Sequence, residues 1–119
     1  MINQFVYKIL APRDYQAAKA LGHPRTELDV GDGYVHLSTS VQVGETLALH
    51  YKDVEGVYLL EFAVADLEIM PGALRWELSR GGQLFPHLYA DLKIAWTKRQ
   101  WILPLDEAGV PQVPGDLKR

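Results

Sequence analysis

Hydrophobic residues alternate with polar ones in several short segments of the chain, a pattern typical of β-strands. The β-rich run Phe5–Leu10 predicts a first strand. Residues 57–64 are apolar on both faces apart from Glu61, so this segment is expected to be a central strand. Shorter strands are predicted at 34–38, 67–70, 74–78 and 84–89, with a late one at 94–103.

The first helix is predicted directly after the opening strand. Pro12 suits the first helical position, and Gly22 suits the residue that ends the helix. Helical spacing places Tyr15, Ala18 and Leu21 on its buried face. The polar residues 23–32 that follow are expected to form a loop ending in a glycine-rich turn.

A second helix is predicted over residues 40–51. Thr39 with Gln42 three residues later is a capping-box pattern, which satisfies free backbone N–H groups at a helix start. Its inner face is expected to carry Val43, Leu47 and His50. Helices followed by a run of strands predict an α+β fold with antiparallel pairing.

The length of 119 residues predicts one domain, because chains divide into several domains mainly above about 250 residues. We place this single α+β domain at 1–105. The segment 106–119 contains Pro111 and Pro114 and is expected to be a loosely held tail.

Composition narrows the classes of function. Hydrophobic residues make up 48% of the chain and charged residues 23%, as in ordinary globular proteins. No apolar run approaches the roughly 20 residues of a membrane-spanning helix. The net charge of −3 argues against a broad nucleic-acid or anionic-lipid surface. No secretion signal is recognised, so a cytoplasmic location is expected.

The chain lacks cysteine, which excludes disulfides, thiolate metal sites and cysteine nucleophiles. Phosphate-binding loops, dinucleotide fingerprints, nucleophile elbows and zinc-protease motifs are also missing. Four histidines are then the main groups able to exchange protons near neutral pH. Because no two lie within five residues of each other, we expect no metal site, although His36, His50 and His87 could meet in space.

His36 and Ser38 form the first candidate pair. Residues two apart on a strand point the same way with Cα atoms roughly 7 Å apart, a spacing suited to two groups that grip one ligand. The backbone N–H groups after Thr39 add possible ligand donors. The alternative remains open that His36 is a half-buried histidine bonded to backbone and that Ser38 merely lies near a cap.

A second candidate cluster lies on the strand at 84–89. If this segment is extended, Phe85, His87 and Tyr89 share one face and surround an imidazole with aromatic walls. Such a surface suits stacking against a planar ring. An aromatic corner of the core, with Pro86 as a turn residue, is the competing interpretation.

Charged residues at 75–80 form a third candidate. Glu77 could act as a general acid or base or accept a sugar hydroxyl, and Arg80 beside Gly81 and Gly82 could bind phosphate. A solvated ion pair between Arg75 and Glu77 is the simpler alternative.

His50 is expected to be a core histidine. His23, in a polar loop, is expected to face solvent.

Taken together, these segments resemble domain of unknown function 952, a family of small bacterial proteins. The resemblance covers about residues 5–105. Its most distinctive pieces are the stretches at 32–38, 74–82 and 85–89, supported by Gln42, Thr46 and His50-Tyr51. The family's grouping with the ADP-ribosyltransferase superfamily implies two small, mainly antiparallel sheets around a cleft that holds NAD.

That resemblance also implies roles for individual residues. His36 and Ser38 match a superfamily pattern that holds the ribose and the amide of nicotinamide. His87, with Tyr89 as the second choice, matches a position beneath the nicotinamide. Two departures stand out: Leu37 replaces the usual glycine, and the late segment 94–103 lacks the usual glutamate. We do not transfer that role to Glu77.

The leading hypothesis is therefore an enzyme that handles NAD or ADP-ribose, resembling an ADP-ribosyltransferase or a 2′-phosphotransferase, with a nucleotide as its small-molecule partner. His36, His87 and Glu77 are the catalytic candidates. Arg80 and Lys8 are expected to balance phosphate charge, beside Ser38, Thr39, Phe85 and Tyr89 as ligand-binding candidates. The alternatives are a nucleotide- or metabolite-binding module without turnover and a structural protein whose histidines belong to the core.

Overall fold

The strand predicted at the start of the chain forms as expected and begins an α+β fold. The computed structural model describes residues 3–117. Its strands are β1 Phe5–Leu10, β2 Val35–His36, β3 Val57–Ala63, β4 Leu74–Leu78, β5 Leu84–Leu88 and β6 Arg99–Leu103. Its helices are α1 Pro12–Leu21, α2 Glu27–Asp32, α3 Val43–His50 and α4 Val64–Leu67, with short 3-10 turns at Arg80–Gly82, Ile94–Trp96 and Gly115–Leu117.

The six strands form two antiparallel sheets of three strands each. Sheet A has the order β1-β3-β6, so the apolar strand β3 is central, as its sequence predicts. Sheet B has the order β2-β5-β4. The two sheets meet where Tyr7 and Ser38 exchange backbone hydrogen bonds of 2.8 and 2.9 Å. β1 and β2 are thereby tied together at the edge where the candidate residues lie.

Two hydrophobic cores lie on opposite faces of sheet A. The first fills the space between the sheets and beneath α1, with Leu60 and Phe62 meeting Val35 and Leu88 of sheet B. The second lies under α3, whose Leu47 packs against the other face of sheet A. Burial on both faces explains why β3 is almost continuously apolar. No helix within residues 3–117 is long and apolar enough to cross a membrane.

Helix α1 has the predicted ends. Pro12 occupies its first turn, and Gly22 ends it with a φ of 82°, a left-handed conformation that glycine adopts without strain. Tyr15 and Ala18 are buried as expected. The expectation for Leu21 is wrong, since its side chain is 71% exposed.

Three other local predictions need correction. The expected loop at 23–32 contains α2, whose start is fixed by a capping box of Thr26 and Asp29. The strand expected at 67–70 is replaced by the end of α4 and a turn. The strands expected at 34–38 and 94–103 are shorter than predicted. β2 has only two residues, and a 3-10 turn takes the place of the first part of the late strand, before β6.

The second predicted helix is shorter than 40–51 and its cap is only partly formed. The side chain of Gln42 accepts a hydrogen bond from the Thr39 amide at 3.0 Å, which is one of the two bonds of a capping box. Val43 and Leu47 face the core as predicted. His50 does not, because it is exposed at the last turn of α3.

Residues 106–117 are not the loosely held tail that their prolines suggest. The Leu117 side chain is 1% exposed and belongs to the second core. Asp116 forms an ion pair of 3.1 Å with Arg99, which also binds the buried Glu61 at 2.8 Å. A backbone bond from Gln112 to Pro104 adds to this attachment. Residues 106–117 are therefore attached to the second core, and residues 118–119 of the predicted tail lie outside the part of the chain that the structure describes.

We predict that Leu117→Ala lowers the free energy of unfolding by about 2–5 kcal/mol, because it removes a buried side chain and leaves a cavity. Urea denaturation measures this change. Leu21→Ala is the matched control and should shift stability by less than about 0.5 kcal/mol, since that leucine is exposed. Equal effects of the two substitutions would show that the tail contributes nothing to the core.

Candidate functional site

The outer face of sheet B, turned away from the first core, carries most of the candidate side chains. In the register of this sheet His87 of β5 lies opposite His36 of β2 on one side and Arg75 of β4 on the other. Glu77 and Phe85 form the neighbouring pair on the same face. The alternation expected from sequence puts each histidine on this face, and the pairing of β2 with β5 places the two side by side.

A buried carboxylate, Asp29, holds the edge of this face. Its Oδ2 accepts hydrogen bonds from the Lys8 ammonium at 2.6 Å and from the Thr26 amide at 2.9 Å. Its Oδ1 lies 2.6 Å from Nδ1 of His36 and accepts from the His36 amide at 3.0 Å. One carboxylate thus connects α2 with both β1 and β2.

The ionisation of this cluster follows from its geometry. Burial by itself would raise the pKa of the Asp29 carboxyl, but the hydrogen bond from His36 and the charge of Lys8 outweigh it and hold that pKa well below its ordinary value. Burial lowers the pKa of Lys8, an effect that Asp29 opposes. The Lys8 ammonium also donates to the His36 carbonyl at 3.0 Å. Its charge is therefore already balanced within the protein.

His36 has a carboxylate at each ring nitrogen. Nδ1 faces Asp29, and Nε2 lies 2.9 Å from Oδ2 of Asp32, four residues earlier in the chain. Both ring nitrogens therefore lie within hydrogen-bond distance of a carboxylate oxygen. The ring is fixed in place, and neither nitrogen is left for a ligand.

His87 has a different environment. Its Nδ1 lies 2.8 Å from Oε1 of Glu77, and the Tyr89 hydroxyl donates to the same oxygen at 2.8 Å. The hydrogen bonds from His87 and then Tyr89 lower the pKa of Glu77, and the bond to Glu77 raises the pKa of Tyr89. Nε2 of His87 has no hydrogen-bond partner among residues 3–117 and is not sealed from solvent.

Tyr34 packs among the rings of this face. Its ring centre lies 4.2 Å from His87 in a stacked arrangement, 4.6 Å from His36 and 5.1 Å from Tyr89. The two imidazoles approach edge to face at 5.5 Å. Desolvation, followed by the charges of Asp32 and other nearby carboxylates, raises the pKa of Tyr34. Tyr34 therefore stays neutral and supports both imidazoles.

Arg80 lies in the predicted glycine-rich turn, where Gly81 and Gly82 have φ values of 67° and 73°. Its guanidinium donates to the Thr46 hydroxyl at 2.9 Å and lies 3.3 Å from a Glu45 carboxylate oxygen. It also lies 5.0 Å from the centre of the Phe85 ring. These contacts hold the guanidinium while about a quarter of its side chain stays accessible.

These residues surround a cleft with a volume of about 670 Å³. Six predicted site residues line it, namely Lys8, His36, Ser38, Arg80, Phe85 and His87. The Ser38 hydroxyl has no partner among residues 3–117 and is available to a ligand. Glu77 and Tyr89 are not lining residues, although Glu77 contacts His87, which is one. Thr39 is buried under Gln42 and does not line the cleft either.

Two histidines lie elsewhere than expected. His50 is exposed and lines the cleft, so it is not a core residue. His23 is half-buried rather than solvated, and its Nδ1 is a buried atom without a partner among residues 3–117.

Beside His50, burial raises the pKa of Tyr51 to about 12. No group of three or more histidine and carboxylate side chains within the described chain is arranged to hold a metal ion.

Asp29, Asp32, Tyr34 and Thr46 are the cleft residues that sequence reasoning missed. A signal existed for Asp29, since Thr26 followed by Asp29 has capping-box spacing. Asp32 lies four residues before His36. The sequence predicts a turn at Asp32 and a strand at His36, and in those structures a spacing of four residues does not indicate a contact. No local pattern connects Thr46 with Arg80, because 34 residues separate them.

Comparison with known proteins identifies the family of this chain. Residues 9–99 match the family described as "Protein of unknown function (DUF952)". The chain belongs to this family. It is also similar to the crystal structure of protein CC0527 from Caulobacter crescentus, with 38% identity, a TM-score of 0.86 and coverage of 95% of this chain and 97% of that chain. The solution NMR structure of CC0527 gives 40% identity, a TM-score of 0.79 and 94% coverage of each chain. None of the curated proteins compared with the chain matches it.

We predict that Asp29→Asn lowers the free energy of unfolding by about 3–5 kcal/mol, because it leaves the Lys8 ammonium buried without its counter-charge. Asp91→Asn, which breaks an exposed ion pair with Arg25, is the matched control and should cost less than about 1 kcal/mol. Chemical denaturation at neutral pH measures both. Similar losses in the two variants would contradict the structural role of Asp29.

The same carboxylate predicts a pH dependence. The pKa of Asp29 is lower in the folded chain than in the unfolded chain, so its stabilisation is present above its ordinary value of about 4. That stabilisation is lost as pH falls below this value toward the depressed pKa of the folded protein. Denaturation curves between pH 5 and about pH 2 should therefore fall less steeply for Asp29→Asn than for the wild type. Parallel curves would contradict this prediction.

Proposed function

We propose that the cleft binds NAD or a related ADP-ribose-containing nucleotide and acts on it as a transferase. The observation that carries this proposal is the convergence of Ser38, Arg80 and His87 on one cleft, each from a different segment of the chain. Side chains brought together in this way from distant parts of the chain are typical of a ligand site.

Arg80 is the proposed phosphate-binding residue. Its guanidinium is held by Thr46 and Phe85, so little side-chain freedom would be lost when it binds an anion. The exposed His50 also lines the cleft and could contribute a second donor. Lys8 does not take part in this proposal, since its ammonium is buried against Asp29.

The polar and aromatic groups nearby suit the remainder of such a nucleotide. The free Ser38 hydroxyl would bond to a ribose hydroxyl or to the amide of nicotinamide, while Nε2 of His87, which also has no partner among residues 3–117, is left for the acceptor. Phe85 also lines the cleft and offers an apolar surface to a planar ring. His36 contributes indirectly: Asp29 and Asp32 fix its ring, and the ring packs edge to face against His87.

The resemblance to ADP-ribosyltransferases supports the choice of NAD. Two antiparallel sheets beside a cleft, with the histidine and serine of His36-Leu37-Ser38 at its edge, are what that resemblance leads us to expect. In this proposal the bond between ribose and nicotinamide breaks, nicotinamide leaves, and the ADP-ribosyl group passes to an acceptor. Orientation and electrostatic stabilisation would provide most of the rate acceleration.

A nucleotide- or metabolite-binding module without turnover is the second candidate. The carboxylates at both nitrogens of His36 favour it, because they occupy the groups that would otherwise grip the ribose. Leu37 at the position where the superfamily has glycine favours it as well. Mass spectrometry after incubation with NAD separates the two candidates: free nicotinamide supports the transferase, and binding without nicotinamide supports the module.

We predict that isothermal titration detects binding of NAD or ADP-ribose, and that Arg80→Gln weakens it about 10- to 100-fold. The loss of a charged hydrogen bond to phosphate, about 1.5–3 kcal/mol, gives this range. Arg13→Gln, on the exposed side of α1, is the control and should leave the dissociation constant unchanged. No heat with NAD, ADP-ribose or a 2′-phosphorylated dinucleotide at millimolar concentration would overturn the proposal.

A further inference from the structure

The pairing of His87 with Glu77 goes beyond what ligand binding alone requires. We propose that His87 is the general base of the cleft, that Glu77 is its positioning residue, and that the acceptor is therefore a hydroxyl group, either water or an alcohol such as a sugar hydroxyl. This inference rests on the proposed function and adds to it the chemical class of the acceptor.

The hydrogen bond at Nδ1 determines which nitrogen of His87 can take a proton. The hydrogen bonds from His87 and Tyr89 favour the ionised form of Glu77, and an ionised carboxylate only accepts hydrogen bonds. Nδ1 of His87 must then carry the hydrogen across the 2.8 Å contact. In the neutral ring this leaves the lone pair on Nε2, the nitrogen without a partner among residues 3–117.

Packing fixes the ring in this orientation. His87 is 4% exposed, and Tyr34 stacks on it at 4.2 Å. The other groups that face it are His36 of β2 at 5.5 Å, Arg75 directly opposite on β4, and Tyr89 just after the end of β5. Arg75 lies 4.2 Å from the centre of the Tyr89 ring and lowers the pKa of Glu77 further, which favours its ionised form.

The other basic groups of the cleft lack this arrangement. His36 has both ring nitrogens against carboxylates, and Lys8 is held in a buried ion pair. Arg80 offers only hydrogen-bond donors and no lone pair for a proton, as arginine does in proteins generally. His50 is exposed and has no carboxylate partner among residues 3–117 to orient its ring. Within the described cleft, His87 combines an oriented ring with a free nitrogen.

A general base indicates the kind of acceptor. Phosphate is already anionic at neutral pH and gains little from a base, whereas a hydroxyl must lose its proton as it attacks. In the proposed step the hydroxyl oxygen bonds to the ribose carbon and the bond to nicotinamide breaks. Nicotinamide leaves as a neutral molecule with the electron pair of that bond. The hydroxyl proton passes to Nε2, and Glu77 stabilises the resulting imidazolium.

The test compares two acceptors in the full-length protein. Wild type and Glu77→Gln are incubated with NAD and either methanol or inorganic phosphate, and mass spectrometry quantifies nicotinamide and the two ADP-ribosyl products. We expect Glu77→Gln to lower kcat for transfer to methanol and water about 10- to 100-fold, with KM for NAD within about 2-fold. Transfer to phosphate should change by less than about 2-fold.

Two further variants keep the test specific. Glu68→Gln makes the same change at an exposed carboxylate outside the cleft lining and should behave as wild type. His87→Ala should lose transfer to methanol and regain part of it when imidazole is added, which a purely structural role would not allow.

The outcomes separate this inference from the function on which it rests. Failure of NAD and ADP-ribose to bind the wild type overturns both. NAD binding without nicotinamide release, or transfer to phosphate alone, overturns the hydroxyl acceptor and leaves the nucleotide site standing. Equal methanol transfer by wild type and Glu77→Gln overturns the positioning role of Glu77.

Discussion

The Asp29 carboxylate is the interaction on which the rest of the candidate site depends. It is almost fully buried, yet it satisfies its charge through Lys8 and its hydrogen-bonding capacity through Thr26 and His36. A carboxylate buried without such partners would be strongly unfavourable. Because those partners belong to β1, to the start of α2 and to β2, meeting the requirements of one side chain fixes how three elements approach one another.

This constraint explains why the two histidines of the cleft differ. His36 lies between Asp29 and Asp32, so it helps to hold the wall of the cleft. His87 has a carboxylate partner at Nδ1 and no partner among residues 3–117 at Nε2. The same side chain thus has two different environments at neighbouring positions of one sheet, and Tyr34 packs against both rings. Residue type alone does not predict this difference.

The parts of the fold that follow local rules could be predicted from sequence. The ends of α1 depend on Pro12 and Gly22, and the central position of β3 follows from a run that is apolar except at Glu61. The alternation of side chains along β5 likewise predicts that His87 and Phe85 share one face of the sheet. Errors arose where a distant partner decides. Helix α2 is short and polar, with little intrinsic signal, and it is held by contacts from Asp29 to two strands. In the same way the tail is ordered by burial of Leu117, which outweighs the effect of its prolines.

The two cores draw on different stretches of the chain, which has a consequence for the order of assembly. The first core uses residues between Val6 and Trp96, whereas the second also needs Leu103 and Leu117. Since a chain emerges from the ribosome beginning at its N-terminus, the residues of the first core are all available before Leu103 and Leu117 of the second. During that interval α3 can already cover part of the other face of sheet A, but the apolar surface around Ile9 and Leu59 still lacks those two leucines, so the second core is the last to be completed.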